Sequence, residues 1–70
     1  MKFFMSIAVC SFLDFSCMPY VQYPIAYESW NTCMNAAYKE SIEIMNTLNQ
    51  DVVERNRVAT KFTCTEAHGA

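Results

Sequence analysis

Cysteines at positions 10, 17, 33 and 64 are the residues of this 70-residue chain whose type and spacing offer chemistry. A cysteine can pair, ligate a metal or act as a nucleophile. A zinc site would have to draw on Cys17, Cys33, Cys64 and His68. The spacing Cys64-x-x-x-His68 comes without any Cys-x-x-Cys knuckle, so no metal is expected. A nucleophile needs an adjacent base and a group to orient it, and the single histidine stands near the C-terminus. Glu40 and Glu43 are close enough in sequence to form a carboxylate pair, but on a polar helix face they read as solvating charges. No catalytic residue and no cofactor is therefore expected, and the chain reads as a non-enzyme. Disulfide formation remains, and it belongs outside the cytosol.

The N-terminus agrees with such a compartment. Met1-Lys2 followed by the apolar run from Phe3 to Leu13 has the order of a secretory signal, one positive charge and then apolar residues. Small residues at Ala8 and Cys10, or less well at Val9 and Ser11, offer cleavage sites. The expected division is a signal over residues 1–11 and a small helical domain over residues 12–70, secreted or periplasmic. A membrane span is the rival reading. Eleven helical residues reach only about 17 Å against a hydrocarbon core of about 30 Å. Extending the span would bring in Asp14, Pro19 and Pro24. Lipidation is disfavoured, because Asp14 stands three residues before Cys17 and Val9 before Cys10 is not small. The membrane is then met only through the N-terminal segment during export.

Composition narrows the partner classes. An apolar content of 53%, with five Phe, four Tyr and one Trp, describes a chain that folds. Without Lys2 the bases are Lys39, Arg55, Arg57 and Lys61, scattered against seven acids. That balance excludes a phosphate-tracking nucleic-acid binder and a basic helix on anionic lipid.

The elements that must position the cysteines are read as follows. From Cys17 to Tyr27 two prolines enforce an extended arm, able to lie as a lid on a helical surface. Ser29 is an N-cap for a helix from Trp30 to Leu48, with Trp30, Met34, Ala37, Ser41, Ile44 or Met45, and Leu48 on one face. The polar stretch from Asn46 to Asp51 reads as a turn, and Asp51 with Glu54 as the capping box of a second helix. Beyond Arg57 the pattern divides. Val58 and Phe62 suit a helical face, whereas Val58, Thr60, Phe62 and Cys64 alternate as in a strand. The helical reading is preferred to about Phe62, followed by an extended end and a fraying tail.

The predicted fold is thus all-α: an antiparallel two-helix hairpin with an N-terminal extended arm, stapled by a disulfide. Cys33 and Cys64 are equidistant from the turn near Leu48 and Asn49, so they should meet at the open end of the hairpin. Closing such a loop contributes about 3–4 kcal/mol. Cys17 is then a free or intermolecular thiol, or it pairs with Cys10 if the N-terminus is retained. Tyr20, Tyr23, Tyr27 and Trp30 form a candidate interaction patch, with a role as core as the alternative.

The chain resembles a group of small signal-bearing proteins encoded by marine bacteriophages. The resemblance rests on the cysteine inside the signal-like start, Cys17-Met18-Pro19, Ser29-Trp30-Asn31-Thr32-Cys33, the Tyr38 to Ser41 step, the acidic opening of the second helix and Phe62-Thr63-Cys64, with Ala37 where the group has glycine. It implies export from an infected bacterial cell or into its envelope, and carries over no catalytic residue. The expected role is a non-enzymatic binding or structural protein with a protein partner in the envelope. A membrane-active peptide that keeps its N-terminal segment is one alternative, and a thiol redox-responsive protein using Cys17 is another.

Overall fold

A run of apolar residues without alternation suits a strand buried on both faces as well as it suits an export signal, and in this chain it is a strand. The computed structural model describes residues 1–67 and contains β1 (Lys2–Ser11), β2 (Ser16–Cys17), β3 (Val21–Tyr27), α1 (Trp30–Thr47), α2 (Gln50–Asn56) and β4 (Val58–Ala67). The fold is mixed α/β, an antiparallel sheet with two helices, which corrects the all-α helical hairpin expected from sequence. Two of the predicted pieces change character. The proline-bearing arm is built into the sheet as β2 and β3 rather than lying on a helix. The second helix stops at Asn56, and the segment expected to continue it is β4.

β1 is the axis of the sheet. Along one edge it pairs with β4 over its whole length, from Lys2 opposite Ala67 to Ser11 opposite Val58. The other edge is shared in succession by β3, which pairs with Phe3 to Ile7, and by β2, which pairs with Cys10 and Ser11. Pro24 has no amide to give a ladder, and it falls where the register shifts. Phe4 opposes Ala26 and Ser6 opposes Gln22, so two steps along β1 match four along β3. An even number of extra residues preserves the alternation, leaving Val21, Tyr23, Ile25 and Tyr27 on one face.

The two faces of β1 are buried differently. On the inner face Met5 and Ile7 pack with Cys33 and Ala37 of α1 and Cys64 of β4. The helix meets the sheet through Cys33, Ala37 and Ser41, small residues four apart that allow close approach. The Ser41 hydroxyl is buried there and has no hydrogen-bond partner among the described residues. On the outer face no helix covers Ser6 and Ala8, so side chains of the flanking strands must. Ala8 pairs with Lys61, whose ammonium lies 5.2 Å from the centre of the Tyr20 ring on the opposite edge of β1. Ala8 itself is 2% exposed.

The helix boundaries follow from local chemistry. Ser29 caps α1, its hydroxyl accepting from the Thr32 amide at 3.1 Å. Asn49, not Asp51, caps α2, accepting from the amides of Asp51 and Val52. Arg57 in the left-handed region (φ 53°) ends α2, and the β-branched Val58 and Thr60 then extend.

Cys33 and Cys64 are bonded, with Cα atoms 6.3 Å apart, and they join helix to strand rather than helix to helix. From Cys33 to Thr47 the helix rises about 21 Å, and from Val58 to Cys64 the strand rises about 20 Å. Equal lengths bring the two sulfurs to the same level. Cys10 and Cys17 are also bonded, as directly opposed residues of β1 and β2 with Cα atoms 4.0 Å apart. The Met18 amide donates to the Val9 carbonyl at 2.9 Å, so Cys10 and Cys17 form a pair without mutual ladder bonds, where strands approach most closely.

Loop length sets two expectations for urea unfolding. Replacing Cys33 and Cys64 by serine should cost about 3.7 kcal/mol, and replacing Cys10 and Cys17 about 2.5 kcal/mol. Because β1 is the only strand that every other strand pairs with, a chain beginning at Phe12 should show no cooperative urea transition at all.

Candidate functional site

A helix is about 10 Å across and strands are about 4.8 Å apart, so one helix cannot cover a sheet three strands wide. α1 lies over β1 and β4 and leaves the inner face of β3 open. Two clefts border β3, the first from Tyr23 to Tyr27 and the second at Val21. The first, about 330 Å³, is floored by Met5, Tyr23, Ile25 and Tyr27. Its wall is Ala36, Lys39, Glu40 and Glu43, which recur at helical spacing on one side of α1. The second, about 350 Å³, is lined by Ile7, Val9, Met18, Pro19, Tyr20 and Val21. Together they form an open trough, apolar along its length and charged only at the helix wall.

The polar chemistry of the trough centres on Tyr23. Its hydroxyl donates to Glu40 Oε2 at 3.1 Å. Partial burial raises the phenol pKa above its usual value near 10, and the hydrogen bond to Glu40 and the negative charge of that carboxylate raise it further. Tyr23 is therefore held as a neutral donor. Two carboxylates and one lysine give the wall a net negative charge, suited to an apolar segment that carries a cation beside it. Lys2 is ion-paired with Glu28 and holds the Glu28 carboxyl below its ordinary pKa, joining the start of β1 to the residue after β3.

The sequence-derived residues fall as follows. Tyr23 and Tyr27 share the first cleft and Tyr20 lines the second. Trp30 is separate, its ring edge-on to Phe3 at 6.2 Å. Glu40 and Glu43, assigned to a solvated face, border the trough beside Lys39. Ile25 and Val21 belong to it as well. Their alternation with Tyr23 and Tyr27 was the signal for them, obscured by the two prolines. Cys17 is not a free thiol, being bonded to Cys10, and among the described residues no cysteine is free. Cys64 is committed to Cys33, and His68 lies outside the described residues. Two disulfides in so short a chain point to a non-reducing environment.

The raised pKa of Tyr23 has a definite sign for stability. The folded state keeps the phenolic proton above pH 10 where the unfolded chain has released it, so this contribution is complete below pH 10 and is lost as pH rises through the folded value. Urea unfolding of wild type and Tyr23→Phe should thus converge as pH is raised beyond 10. In absorbance titration Glu40→Gln should lower the Tyr23 pKa part of the way, because burial remains.

No protein-family model, curated protein or solved structure matches the chain, so its function has to be inferred from the residues that line this trough.

Proposed function

We propose that this is a small non-enzymatic binding protein of a bacterial periplasm or cell envelope, and that it holds an extended segment of a protein partner in the trough beside β3. The observation that carries the reading is the uncovered inner face of the sheet, where Ile25 and Val21 are at least half exposed between half-buried tyrosines. Tyrosine and branched aliphatic side chains in a groove with a polar rim suit recognition of a peptide, since they offer contact area at little cost in conformational freedom. The partner's segment presents an apolar side chain to Met5 and Ile25, with a lysine or arginine facing Glu40 and Glu43. The disulfides suit an oxidising compartment, and the resemblance to phage-encoded proteins suits the envelope of an infected cell. Ligation by a reactive Cys17 is not part of this reading, because that sulfur is bonded to Cys10.

Site-specific photo-crosslinking tests it. The chain carrying benzoylphenylalanine in place of Ile25 is irradiated with a solubilised bacterial envelope fraction, with the same substitution at Val52 on α2 as control. A discrete adduct from position 25 and none from position 52 is expected. Adding Val21→Asp should reduce the adduct about tenfold or more, the effect of losing one buried aliphatic contact. Equal labelling from both positions, or turnover of a substrate by the purified chain, would overturn the reading.

A further inference from the structure

The turn joining β1 to β2 places Phe12, Leu13 and Phe15 at one end of a molecule 43 Å long. Their side chains are 48%, 63% and 81% exposed, and none packs on the core. Phe15 has φ 58°, a left-handed position that glycine or asparagine occupies at least cost. A bulky aromatic held there faces solvent for no benefit to the fold.

The turn is nevertheless firmly held. Cys10 and Cys17 bridge its base, one pair below Ser11 and Ser16. The Phe12 amide donates to the Arg57 carbonyl at 3.0 Å, and the Ser11 hydroxyl donates to the Asn56 carbonyl at 2.9 Å, which fastens the turn to the corner between α2 and β4. Asp14, the one charge in the turn, accepts from the Ser16 hydroxyl at 2.8 Å and the Ser16 amide at 3.2 Å. Those hydrogen bonds keep its carboxyl below the usual pKa range. The display is therefore prearranged, and little freedom remains to be lost on binding.

We propose that this turn is a lipid-docking finger that inserts Phe12, Leu13 and Phe15 into the interfacial region of an electrically neutral bilayer. Shape favours lipid over a protein pocket. The three apolar side chains stand out from the turn and none of them lines a cleft of the trough or the cleft beside Cys10 and Cys17, so they offer no pocket or groove to a protein partner, whereas a fluid interface takes any outline. Charge selects the lipid. The chain is negative overall, which disfavours anionic headgroups. Among the described residues no helix is long and apolar enough to cross a membrane, and the finger does not need to. It is separate from the trough and would orient it relative to the membrane surface.

Phosphatidylcholine vesicles test the finger directly. In a Phe15→Trp, Trp30→Phe chain, tryptophan emission should shift to the blue and be quenched by bromine-labelled acyl chains. The native Trp30, near Phe3 at the other end of β1, should show neither effect in wild type. Leu13→Ser with Phe15→Ser should lower vesicle partitioning on the order of 10- to 100-fold, because each buried apolar side chain is worth about tenfold. An unshifted Trp at position 15 with millimolar lipid, equal partitioning of wild type and the double variant, or an equal shift of Trp30 would each overturn the proposal. Circular dichroism of the variants separates lost insertion from lost folding.

Discussion

Every other element of this chain is placed by the demand that β1 be satisfied on both edges and both faces. A strand in that position cannot be amphipathic. Its inner face needs side chains that reach a helix, supplied by Met5 and Ile7, and its outer face needs side chains that neighbouring strands can close over, supplied by Ser6 and Ala8. The pairing partners then follow. β4 takes one edge at full length, and β2 and β3 divide the other, with Pro19, which has no amide to give a ladder, between them. A core this thin stabilises little by burial alone, which is why both bridges fasten an element to the β1–β4 pair.

That same property made the fold hard to read from sequence. The period-2 signature of a strand comes from having one wet face, and β1 has none, so its apolar run carries no alternation by which a strand is recognised. For β4 the strand signal is present, since Val58, Thr60, Phe62 and Cys64 do alternate. It was outweighed by a helix assumed to continue through Arg57, and nothing in the residue type announces that an arginine will take the left-handed cap. α1 was legible from Ser29 to its last turn because a capped, uninterrupted amphipathic helix depends mostly on its own residues. The pairing of Cys33 with Cys64 was reached from a hairpin that does not exist. Equal residue counts about a turn bring two helices into register. Here a 14-step helix and a 6-step strand match in length, and α2 takes up the difference.

The candidate site was half legible for a related reason. The tyrosines of the arm were visible, but a lid on a helix would have turned them inward, whereas a strand beside an undersized helix leaves them at the edge of a trough. Its helix wall was misread because Lys39, Glu40 and Glu43 look the same in sequence whether they face bulk water or the rim of a cleft. Only the lateral position of α1 decides, and that position is set by the small stripe Cys33, Ala37 and Ser41 together with the bond to Cys64.

The two bridges are unequal in a way that bears on both surfaces. Cys33 has no exposure and Cys64 little, so a reductant reaches that bond only when the helix lifts from the sheet. Cys17 is exposed, although its partner Cys10 is buried, so this bridge is the more open of the two to an attacking thiolate. Reduction would therefore loosen first the turn that carries Phe12, Leu13 and Phe15, together with the Met18 and Pro19 side of the second cleft, while the α1–β4 clasp still holds the first cleft in shape. Rigidity at the tip thus depends directly on an oxidising compartment, whereas the first cleft depends on it only through global stability.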